Sequence, residues 1–144
     1  MRGEMSAEKA YLQRYLKARE TMASMARTLE RLREAAGVSA VRYDVDRVKG
    51  GQSEGMAGIM AQVIDVEAQL QRMQESAAAI AAEIIDSVLW INDEQYRDIL
   101  LLRYIHGYTW EQIAEAKHYS VRYVYKLHGR ALAAFRSARN KRTC

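Results

Sequence analysis

The chain has no proline and one cysteine, Cys144, among its 144 residues. Without proline, nothing in the sequence forces an amide-less, fixed-φ break, so helices can run until another signal stops them. A single cysteine excludes an internal disulfide and fits a reducing compartment. No apolar run approaches the ~20 residues needed to span a bilayer. The opening Met1-Arg2-Gly3-Glu4-Met5 lacks the apolar stretch of a signal peptide. These absences lead to the expectation of a soluble cytoplasmic protein with no membrane partner. Acidic residues are also missing from one end. From Lys117 to Cys144 there are eight basic side chains and no acidic one, leaving 14 basic against 18 acidic residues before Lys117. A positive end on a mildly acidic body points to a polyanion partner, although charge alone fits a solvated tail equally well.

What is abundant is helix-forming. Hydrophobic residues make up 49% and charged residues 28% of the chain, the balance of a folded rather than a disordered protein. Tyr11, Tyr15, Ala18, Met22, Met25, Leu29, Leu32 and Ala36 recur in alternating steps of four and three. That a/d seam predicts one coiled-coil helix from about Ser6, its N-cap, to Ala36, stopped by Gly37. A second seam runs through Ile59, Val63, Val66, Leu70, Met73, Ala77, Ile80, Ile84, Ser87 and Ile91. It predicts a helix from Met56 or Ala57 to Trp90. Two single-stripe helices most simply fold into an antiparallel hairpin. Its thin core favours association into a homodimer through the long helices. Between them, residues 37–58 contain Gly50, Gly51 and Gly55, with Val41, Tyr43, Val45 and Val48 stepping mostly by two. A long connection or a short extended hairpin fits this glycine-containing loop equally well.

The remaining residues carry repeated capping signals. Asn92 with Gln95 predicts an N-terminus for a helix ending at His106, before Gly107. Thr109 with Gln112 opens a short helix that gives out near Lys117-His118-Tyr119, and Ser120 caps a last helix from Val121 to about Arg139. A short capped helix, a tight turn and a longer capped helix form a helix-turn-helix, whose second helix enters the DNA major groove. On that helix Val124, Leu127, His128, Ala131 and Phe135 form the inward stripe. Arg122, Lys126, Gly129, Arg130 and Ala133 occupy the opposite face, where small residues beside cations suit close approach to phosphates. The expected DNA-binding set is Thr109, Trp110, Ser120, Val121, Arg122, Tyr123, Lys126, Arg130 and Arg136, with double-stranded DNA as partner. Arg122 suits a guanine edge and Tyr123 a thymine methyl or a phosphate. Lys126 and Arg130 suit phosphates.

At these residues a family resemblance emerges. The stretch from Arg97 to Ala114 resembles the start of sigma factor region 4. Together with Tyr119 to Leu132 it more closely resembles the phage and prophage sigma-region-4-like regulators of the ArpU and RinA type. Tyr43 to Gly51 is similar to the interhelical loop of that group. Lys117 and His118 stand where the family usually has Leu and often Gly. The resemblance implies an all-α fold, with a long antiparallel, coiled-coil-like helical hairpin at residues 1–91 followed by a region-4-like helix-turn-helix at 92–144 with a basic tail. It also implies transcription control of phage late or packaging genes in a bacterial host cell, at the nucleoid, with RNA polymerase as a further partner.

No constellation of catalytic residues stands out. His106, His118, His128 and Cys144 match no compact zinc spacing, and His128 falls on the inward stripe, where a structural histidine bonded to backbone is expected. Asp44 and Asp46 lack a nearby histidine or third carboxylate. Gly50-Gly51 lacks the Lys-Ser or Lys-Thr of a phosphate loop. The expectation is a non-enzyme without cofactor or metal. Two other readings of the same elements are a small terminase-like DNA-recognition and assembly subunit, which would form a ring, and a sigma-like module that grips RNA polymerase without reading DNA.

Overall fold

The computed structural model describes the backbone of residues 2–46 and 52–143, with side chains described for 7–37 and 55–143. Six helices occupy these residues: α1 (Arg2–Leu12), α2 (Arg14–Asp46), α3 (Gln52–Val88), α4 (Glu94–Tyr104), α5 (Trp110–Lys117) and α6 (Val121–Thr143). Among the described residues there is no strand, and none of the helices is long and apolar enough to cross a membrane. The fold is the expected all-α one, a long helical hairpin followed by the helix-turn-helix. Contacts divide it into two compact units, residues 18–76 and residues 1–17 with 77–144.

The unit at 18–76 follows the heptads closely. In α2, Leu29 and Ala36 are buried and Ala18, Met22, Met25 and Leu32 half-buried, while the other residues from 19 to 37 are exposed. In α3, Val63 is buried and Ile59, Val66, Leu70 and Met73 are half-buried. An exposed ion pair, Arg33 to Glu67 at 2.7 Å, bridges the two helices beside their seams.

The other unit gathers both ends of the sequence around one core. Its fully buried residues include Leu12 of α1, Ile84 and Val88 of α3, Ile99 and Leu100 of α4, Ile113 of α5, and Val124, Leu132 and Phe135 of α6. Tyr11 lies against Ser87 (3.3 Å between hydroxyls) and Arg14 pairs with Glu83 at 2.8 Å, so the start of the chain runs antiparallel to the end of α3. Ser87, the polar residue of the second seam, is buried without penalty because its hydroxyl donates to the Glu83 carbonyl at 2.9 Å. On the opposite side Glu8, itself buried, pairs with Arg139 at 3.0 Å. The Arg139 guanidinium covers the Tyr11 ring at 4.2 Å. The expected boundary at 91/92 therefore falls inside this unit, because Leu12, Ile84, Val88 and Ile91 share their core with Phe135.

Several expected boundaries move. Ser6 lies within α1 rather than capping it, and the ladder crosses Gln13 through bonds from its amide to Lys9 and from the Lys17 amide to its own carbonyl. Gly37 does not stop α2, which continues to Asp46. One glycine in a helix costs only about 1 kcal/mol against alanine, and no proline follows to enforce an end. The stretch 37–58 is thus largely helical, with α3 already begun at Gln52. Residues 47–51 and Cys144, including the Gly50-Gly51 pair and the centre of the loop similar to the phage regulators, lie outside the described residues, as do the side chains of Asp44 and Asp46. The N-cap of α4 is Asp93, not Asn92. Its carboxylate accepts from the amides of Gln95 and Tyr96. Asn92 instead offers its carbonyl to Arg97, which closes the α3–α4 turn.

Candidate nucleic-acid interface

Four local devices set the direction of α6. Gly107, with φ 74°, ends the α4 segment where a side chain would be strained. Thr109 and Gln112 then form a reciprocal capping box: the Gln112 amide donates to Thr109 Oγ1 at 3.1 Å, and the Thr109 amide to Gln112 Oε1 at 2.8 Å. At the other end of α5, His118 takes the left-handed conformation usual for glycine, with φ 61° and ψ 40°. Its amide and that of Tyr119 bond back to Glu115 and Ala114, the Schellman closure. Ser120 caps α6, its Oγ accepting from the Tyr123 amide at 3.1 Å.

The turn is also braced by side chains. Lys117 is half-buried and reaches Asp98 of α4 at 2.7 Å, so its stem covers apolar surface while its ammonium is paired. Gln95 donates to the Tyr119 hydroxyl at 3.1 Å. Lys117 and His118 are thus accommodated by an ion pair to Asp98 and by a left-handed backbone closed by bonds to Ala114 and Glu115.

Val124, Leu127, His128, Ala131 and Phe135 are all buried, as the inward stripe requires, and Leu132 joins them. His128 does not bond to backbone as expected. Its Nε2 lies 2.7 Å from the Tyr104 hydroxyl. Burial, with the charges of Lys9 and Arg103 adding to it, pushes His128 down to about 4, so the ring is neutral near pH 7. No cluster of metal-ligating side chains occurs among the described residues.

The nine candidate contact residues divide into two groups. Thr109, Ser120, Arg122, Lys126 and Arg130 are exposed, the last three along one face of α6 that continues through Ala133 and Ser137. Trp110, Val121, Tyr123 and Arg136 are half-buried. Tyr123 meets Tyr119 edge-on at 4.9 Å, and Trp110 carries the Arg103 guanidinium over its ring at 4.1 Å. Arg136 sits almost four turns beyond Arg122. One exposed residue escaped the sequence reading: Tyr125, between Arg122 and Lys126, is 51% exposed. Its position three residues after Arg122 and off the inward stripe was the available signal.

A positively charged, solvent-facing helix face behind a rigid tight turn is suited to an anionic groove. Comparison with known families agrees on the location of this unit. No curated protein and no solved structure matches the chain. Residues 93–135, from the cap of α4 to the last core residue of α6, match the family model of sigma-70 region 4.

Proposed function

We propose that the protein binds duplex DNA sequence-selectively through α6 and regulates transcription, of phage late or packaging genes as the resemblance implies, with RNA polymerase as a second partner. The observation that carries this reading is the exposure of Arg122, Lys126 and Arg130 on one face of a helix capped at Ser120. The region 4 match over the same residues supports it. Arg122, in the first turn, is placed to read a base edge, and Lys126 and Arg130 to hold phosphates.

The test is duplex binding measured as a function of salt and sequence. Neutralising two phosphates, at Lys126 and Arg130, gives a fall of log affinity with log salt of about 1.8 in slope. Arg122→Ala is expected to cost about 1–3 kcal/mol on sites selected from a random library and little on random DNA. Arg130→Ala is expected to weaken both alike. Binding that is indifferent to salt, or equal losses for both variants on both DNAs, removes the proposal.

The proposed assembly is a homodimer through the long helices. Met60 (41% exposed) and Ile64 (61% exposed) lie one turn apart on α3 outside its seam, and this apolar surface supports pairing of two copies. Light scattering decides: two subunits fit the regulator, whereas eight or more fit a ring-forming assembly subunit.

A further inference from the structure

Tyr125 is a large side chain left half in solvent on the face of α6 that carries the cations. An exposed ring usually samples several rotamers, but this one is held against a neighbouring ring. Its centroid lies 5.1 Å from that of Trp110, the first residue of α5, at an interplanar angle of 49°. Trp110 is fixed in turn. The Arg103 guanidinium lies 4.1 Å over its ring, and Arg103 is itself anchored to the Tyr108 carbonyl at 3.0 Å. The His128 ring meets Trp110 edge-on at 4.6 Å, and His128 is held in the core by Tyr104. A continuous line of contacts thus runs from the buried Tyr104 to the exposed edge of Tyr125.

The position on the helix matters as much as this contact. At about 100° per residue, Tyr125 lies roughly 60° around α6 from Arg122 and one turn further on, on the flank next to α5. Within the first two turns of a recognition helix, side chains reach base edges. A phosphate contact through the hydroxyl would leave the braced ring without a role and would carry no sequence information. The ring presents an apolar edge, and in the major groove only thymine offers an apolar partner, its 5-methyl group. A ring already held by a neighbour loses little conformational freedom on making that contact.

We infer that Tyr125 is a base-reading residue, its ring braced by Trp110 so that it packs against the 5-methyl group of a thymine in the major groove. The inference rests on the DNA-binding reading above and adds to it a base preference and the residue that sets it.

The experiment begins with duplexes enriched from a randomised library by the wild-type protein. Each thymine is then replaced in turn by deoxyuridine, which removes only the methyl group. At one position the replacement weakens wild-type binding about fourfold, the effect of one methyl-sized apolar group. Tyr125→Ala binds the two forms of that duplex equally, and Tyr125→Phe behaves as wild type. Circular dichroism confirms that both variants keep their helix content. The same deoxyuridine profile in wild type and Tyr125→Ala overturns the inference. So does Tyr125→Phe losing as much as Tyr125→Ala, which assigns the ring's hydroxyl to a phosphate. In both of those outcomes the cations still bind DNA and the broader reading stands. Absence of salt-sensitive duplex binding by the wild type removes that reading, and this inference with it.

Discussion

The hydroxyl of Tyr104 and Nε2 of His128 lie 2.7 Å apart inside the core that supports α6. Burial pushes Tyr104 up to about 12 and His128 down to about 4, so over a wide pH range the phenol donates to a neutral imidazole. The unfolded chain, with a histidine near 6.5, takes up its proton first. Between these values the unfolded state binds more protons, so stability rises with pH. The contribution is complete above pH 6.5 and is lost as pH falls toward 4. The melting temperature of wild type is expected to drop over this interval more steeply than that of His128→Gln, which cannot titrate. Parallel curves for the two proteins would show that this histidine is not the source of the drop.

Leu12 tests whether α4–α6 depend on α1. It is fully buried among residues of α3 and α6. Leu12→Ala is expected to cost about 2–5 kcal/mol through lost burial and the cavity left behind. The loss should appear in the unfolding of α4–α6, followed by the fluorescence of Trp110. An unchanged Trp110 transition would mean that residues 92–144 hold together without α1.

His118 is the described non-glycine residue with positive φ. A left-handed backbone costs an L residue about 1–2 kcal/mol, and glycine adopts it freely. His118→Gly is therefore expected to raise the melting temperature by a few degrees and leave DNA affinity unchanged. A lower melting temperature would indicate that the imidazole makes a contact worth more than the strain.

Ser120 offers the complementary loss. Its hydroxyl accepts from the Tyr123 amide at the start of α6, and Ser120→Ala is expected to cost about 0.5–2 kcal/mol of stability. Ser120→Asp should restore the cap while placing a negative charge beside Arg122. Stability close to wild type together with weakened DNA binding is the expected pair of results.

Local chemistry was legible in the sequence where it repeats or caps. Every a/d position from Ala18 to Ala36 is less exposed than its neighbours, and the Thr109–Gln112 and Ser120 caps form as their spacing required. Gly37 was misleading because a stop signal needs a chain that leaves the helix, and nothing after it compels that. Leu12 falls off the heptad seam that Tyr11 occupies, and is buried because α1 also docks against α6. Glu8 and Arg139 meet across 131 residues of sequence, a separation at which no local pattern reports a contact. Within the site, the cations were identifiable by their phase on the helix. Tyr125 was off the inward stripe, but its bracing by Trp110 of another helix is a contact that no spacing within α6 reports.

The docking of α1 onto α6 has a consequence for synthesis. Leu12 leaves the ribosome well before Phe135, yet each is a wall of the same interior. During elongation Tyr11, Leu12 and Tyr15 have no finished surface to cover them until α6 has emerged. A chain interrupted before residue 121 carries neither α6 nor a closed core around α1. Completion of α6 and closure of the core around α1 are thus a single event.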